Sequence, residues 1–138
     1  HTSTDIIMHF QSIGRVSPKV WQNLNWIRFH KNSDSVDKHH KKFDDRHEAL
    51  KIVEILVNRQ YHAGDKYFFC TYNCDDEVIY GNYSKTQIMD AIEEYISLNY
   101  NKKIKPLLNM RNSKGKLKFT HETAHKHIKD LIVKMYLP

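Results

Sequence analysis

The stretch RHEALKIVEILVNRQY, residues 46–61, constrains the fold more than any other part of the chain. Ala49, Ile52, Val53, Leu56 and Val57 recur at three- and four-residue spacing, so one side of a four-turn helix must be covered by another element. The sequence after it is of a different kind. His-Ala-Gly-Asp ends the helix, and KYFFCTYN (66–73) is dense in aromatic side chains. NCDD then supplies a turn, and EVIYGNY (77–83) returns as the hairpin partner. A helix followed by a hairpin, with no alternating βαβ units, places the chain in the α+β class.

More helices cover that core. Ser84 with Gln87 makes a capping box, and the helix it opens carries Ile88, Ala91, Ile92, Tyr95 and Ile96 on its buried face. Ser17-Pro18 is a helix start, and Val20, Trp21, Leu24 and Ile27 at helical spacing carry that helix to about Phe29. Residues 5–10, DIIMHF, read as a strand. Residues 106–119 read as a second hairpin, with PLLNM and GKLKF around the turn RNSK, and the last helix begins at about Thr120. The expected architecture is about four helices packed on two short antiparallel hairpins. A winged-helix-like arrangement ranks second, because the basic hairpin precedes the last helix where a wing would follow a recognition helix.

The 138 residues fit one domain, 1–138, large enough to bury a core without staples. From 31 to 46 the sequence is polar, with only Val36 and Phe43 as anchors. It reads as a mobile loop rather than a boundary, since about thirty preceding residues cannot build a core alone. No apolar run approaches the roughly 18 residues of a membrane span, and residues 1–20 lack the apolar core of a signal peptide. The start at His1 fits a piece of a longer protein. Cys70 and Cys74, four residues apart on one strand, have Cα atoms about 13 Å apart, too far to bridge. Free thiols point to a reducing compartment, the cytoplasm or nucleus. Asn82-Tyr83-Ser84 matches a glycosylation sequon, but Ser84 is claimed by the helix cap.

Charge is unevenly placed. Residues 101–138 hold ten Lys/Arg against Glu122 and Asp130, a net +8, whereas residues 1–100 hold twelve against fourteen acids, a net −2. Such asymmetry points to an anionic partner, commonly nucleic acid. The candidate phosphate-binding residues are Lys102, Lys103 and Lys105, then Arg111, Lys114, Lys116 and Lys118 on the hairpin, then Lys126 and Lys129 on the last helix. On a strand at 116–119, Lys116 and Lys118 face outward while Leu117 and Phe119 face the core. Few aromatic residues interleave with these lysines, so phosphate contact is better supported than single-strand stacking.

His121-Glu122-Thr123-Ala124-His125 fits H-E-x-x-H, in which two histidines one turn apart hold a zinc and the glutamate takes a proton from its water. A helical projection centred on Ile128 puts His121 and His125 inward with Leu131, Ile132 and Met135. A catalytic zinc wants a third protein ligand, however, and the thirteen residues after His125 hold neither the glycine turn nor the later histidine of that protease pattern. Cys70-x3-Cys74 with His121-x3-His125 also falls within the spacings of a structural Cys2His2 zinc site. Asp75, Asp76 and Glu77 read as a solvated turn, and no glycine-rich phosphate loop exists. The expected function is nucleic-acid binding by the basic C-terminal surface, with no cofactor and no catalysis of its own. A zinc-dependent hydrolase and a protein-interaction module of a larger assembly are the alternatives.

Overall fold

In the computed structural model, which describes residues 5–138, the α+β class holds. Strands β1 (Trp26–His30), β2 (Phe69–Asn73) and β3 (Val78–Gly81) form one antiparallel sheet in the order β1-β2-β3. Phe29 pairs with Cys70 and Cys70 with Gly81, so the two faces follow from alternation. Ile27, Phe29, Cys70, Tyr72 and Ile79 are buried on one face. The other face is open to solvent over much of its area and presents Trp26, Arg28, His30, Phe69, Thr71 and Tyr80.

Helix α1 (Pro18–Gln22) is far shorter than expected and gives way to β1. Ile27 satisfies helical spacing from Leu24, but Ile27 and Phe29 are buried while Trp26, Arg28 and His30 are not. Period two won, because pairing with β2 gives 26–30 a ladder on one edge and puts Ile27 and Phe29 together on the buried face. The DIIMHF segment is likewise not a strand. It has no regular structure and is exposed, with no neighbour to supply a ladder.

The polar stretch 31–46 is not a structureless loop. It holds 3-10 turns at Val36–His39 and Asp44–Arg46 and the short helix α2 (His40–Phe43), pinned by buried Val36 and Phe43. A buried carboxylate orders it further. Glu54 accepts from the Val36 amide at 2.8 Å, the Ser35 hydroxyl at 3.2 Å and Lys51 Nζ at 3.0 Å. Phe43 meets the Trp21 ring edge-on, centroids 4.7 Å apart.

Helix α3 (His47–His62) matches its expected bounds within a residue, but its burial is wider. Leu50 and Ile55 are buried as well as the expected stripe, because the sheet, the Val36–His39 turn and α4 (Lys85–Leu98) cover it from several sides. The α4 capping box is complete, with the Gln87 amide donating to Ser84 Oγ at 3.1 Å and the Ser84 amide to Gln87 Oε1 at 2.8 Å. Such a cap stabilises a helix by about 1 kcal/mol. All five expected apolar positions of α4 are buried.

The second hairpin is mostly absent. Its first strand folds instead as the short helix α6 (Lys105–Leu108), preceded by the short helix α5 (Tyr100–Lys103), and Arg111↔Leu117 is a single bridge. Helical spacing of Ile104, Leu107 and Leu108 puts them against the core, and Pro106 fits the first turn of α6. Helix α7 (His121–Tyr136) starts within a residue of the expected Thr120, which caps it through reciprocal Thr120–Thr123 bonds of 3.2 and 2.8 Å. Its buried face is turned from the expected one. Ala124, Ile132 and Tyr136 are buried and Ile128 partly so, whereas His121, Leu131 and Met135 are exposed. The buried residues form one continuous cluster, and among the described residues no helix is long and apolar enough to cross a membrane.

Candidate nucleic-acid interface

From Tyr95 to His121 the sequence contains seven Lys/Arg and no acid. Folding gathers most of that charge onto α5, α6 and the turn between α6 and α7. The turn is a short ribbon: Lys118 donates its amide to the Met110 carbonyl at 2.9 Å, and Asn112 donates to the Lys116 carbonyl at 2.8 Å. Asn112 Oδ1 also accepts from the amides of Lys114 and Lys116, at 2.9 and 3.1 Å. Gly115 closes the turn at φ 76°, a left-handed conformation that suits glycine. Arg111 donates to the Gly115 carbonyl at 2.8 Å, tying its guanidinium to the turn it flanks. The backbone of the ribbon is thus fixed by its own polar groups while the lysine side chains stand in solvent.

The nine candidate cations divide into two groups. Lys103 is paired with Glu48, Lys129 with Glu93 at 2.6 Å, and Lys126 with Asp130 at 2.9 Å on the helix surface. Among the described residues, Lys102, Lys105, Arg111, Lys114, Lys116 and Lys118 have no carboxylate within 4.0 Å, and all six are exposed. These six, with Lys134 on α7, are the exposed cations of the basic end that have no carboxylate neighbour among the described residues. Leu117 points outward rather than to the core, and only Phe119 packs against the cluster, because one bridge does not make a strand with a buried face.

Lys103 belongs to a different structure. The Glu48 carboxylate accepts from Tyr95 at 2.7 Å, from Tyr136 at 2.8 Å and from Lys103, joining α3, α4, α5 and α7. Burial alone would raise the carboxyl pKa, but these three donors outweigh it and hold Glu48 below the usual glutamate range.

The metal motifs do not converge. His121 is exposed on the first turn of α7, stacked on the Tyr100 ring, and Glu122 is exposed beside it. His125 Nε2 lies 2.7 Å from Glu93 Oε2. That contact fixes His125 by a carboxylate that Lys129 also engages. Cys70 is fully buried in β2, where burial pushes its thiol up to about 12, and Cys74 is half-buried. Among the described residues no three His, Cys, Asp or Glu side chains lie together in a way that could hold a metal ion. At the turn 75–77, Asn73 Oδ1 accepts from the amides of Asp75 and Asp76, as a solvated turn requires.

Comparison of the chain with protein-family models, curated proteins and solved structures finds no match. One group of residues was not found from the sequence: the outward side chains of the sheet. The signal was the alternation in Trp26-Ile27-Arg28-Phe29-His30, hidden because Ile27 also continues the helical spacing of α1.

Proposed function

We propose that this chain is a nucleic-acid-binding domain without catalysis of its own, acting inside the cell, in the cytoplasm or nucleus. The observation that carries this reading is the six cations on α5, α6 and the turn that have no carboxylate partner among the described residues, in a 27-residue stretch without an acid. Phosphates are the ligand that such an array fits, since each contact releases condensed counterions and needs no shaped pocket. Protein interaction is the second reading. Leu131 and Met135, one turn apart on the outside of α7, are exposed apolar side chains that a partner could cover.

A salt series of binding curves tests the first reading. With Lys114, Lys116 and Lys118 changed to Gln, three phosphate contacts are removed and the log–log salt slope flattens by about 2 to 2.7. The control is Lys38→Gln with Lys41→Gln, two exposed lysines outside the basic segment. Equal slopes in wild type and the triple variant remove the turn from the interface. No binding at low salt by wild type leaves the protein-partner reading.

A further inference from the structure

The open face of the sheet has a composition that its folding role does not explain. Trp26 is 54% exposed and Tyr80 38%, and their rings sit 5.8 Å apart across the sheet at a 44° tilt. Next along β1, the Arg28 guanidinium lies 3.7 Å from the centroid of the Phe69 ring, and His30 stacks on that ring at 5.3 Å. Of the eight outward positions, Val78 alone is aliphatic, and none is acidic. Among the described residues Arg28 has no carboxylate within 4.0 Å.

We infer that this face is a stacking platform for unpaired bases of a single-stranded nucleic acid, with one station at Trp26 and Tyr80 and a second at Arg28 on Phe69. The inference rests on the nucleic-acid reading above and adds to it the strand state of the ligand. An aliphatic sheet face would call for a protein or lipid cover, but aromatic rings and a guanidinium offer flat π and cationic surfaces matched to base faces. Inside a duplex both faces of a base are covered by its neighbours. The two stations are about 7 Å apart along β1, twice the roughly 3.4 Å rise of stacked bases, so they suit bases already drawn apart. Asp75, Asp76 and Glu77 lie beyond the Asn73 end and repel phosphates, whereas Arg28 in the middle of β1 and Lys31 just past its His30 end attract them. His30 is held below the usual histidine range by burial, with Arg28 and His9 adding to it, so at neutral pH it contributes a ring rather than a charge.

Tryptophan emission separates this platform from the basic turn, because Trp21 is buried and Trp26 is not. The probes are an oligothymidylate and an abasic strand of the same length. Oligothymidylate is expected to quench emission of the wild-type protein, and the abasic strand to bind without quenching. Trp26→Phe removes the quench while retaining most of the affinity. Trp26→Ala with Tyr80→Ala weakens oligothymidylate binding about tenfold or more, with abasic binding unchanged. Equal affinity for the two strands with emission unchanged would overturn the platform and leave the phosphate contacts standing. A quench that persists when Lys114, Lys116 and Lys118 are changed to Gln, at an unaltered salt slope, keeps the platform and removes the turn. Absence of binding to either strand at low salt overturns both.

Discussion

Replacing Glu48 by alanine should be among the most damaging single changes outside the apolar core. The carboxylate receives three donors from three other elements, and the Tyr95 and Tyr136 side chains that supply two of them are almost wholly buried. Without an acceptor, each hydroxyl loses a bond to a charged group and has little access to water, at about 1 to 2 kcal/mol apiece. Lys103 is partly exposed and can turn to solvent, so its loss adds about 1 kcal/mol or less. The expected total is about 2 to 5 kcal/mol for Glu48→Ala, and about 1 to 2 for Tyr136→Phe. Urea unfolding followed through buried Trp21 gives both values, and the double variant gives their coupling. The sign with pH is also set. A glutamate whose folded pKa lies below its ordinary 4.5 stabilises the fold above that value, and loses its contribution as pH falls through the folded pKa. Glu48→Gln should therefore unfold with less dependence on pH below about 4.5 than wild type. A cost below about 1 kcal/mol for Glu48→Ala, or additive effects of Glu48→Ala and Tyr136→Phe, would refute this account of the junction.

Two further outcomes test the core and the metal motifs. Ile92→Ala should cost about 2 to 5 kcal/mol, and Ile128→Ala clearly less, since Ile92 is buried and Ile128 only half so; equal losses in chemical denaturation would mean that α7 packs more deeply than described. Protein purified without a histidine tag should hold no stoichiometric zinc by elemental analysis, because His121 and His125 are engaged by different partners. One zinc per chain, lost in His121→Ala, would reverse that expectation.

The long helices were legible because two local signals agreed. In α3, α4 and α7 apolar periodicity coincides with helix starts or stops, and the Ser84 and Thr120 caps lie where hydroxyl residues precede apolar runs. Where one residue served two templates the reading failed, as Ile27 did between α1 and β1. The buried face of α7 was misjudged because Leu131 and Met135 are apolar and helical in spacing yet find nothing to pack against. Nothing local marks the absence of a neighbour. The basic end was visible as charge, but which lysines are paired depends on Glu48 and Glu93, 55 and 36 residues distant from Lys103 and Lys129. The aromatic platform was least legible of all, since its rings come from three strands and only the register brings them to one side.

That register also orders the assembly of the sheet. Cys70 and Gly81 close a gap of eleven residues when β2 meets β3, whereas Phe29 and Cys70 close one of forty-one when β1 meets β2. The longer closure is costlier in chain entropy by about 1 kcal/mol, and β1 adds only one edge to compensate. The β2–β3 ribbon and the α3–α4 pair can therefore form early, with β1 docking late and reopening first. Trp26 and Arg28 ride on that strand, so amide exchange along 26–30 should be faster than in β2, and the outward aromatic surface exists only while its outermost strand is closed.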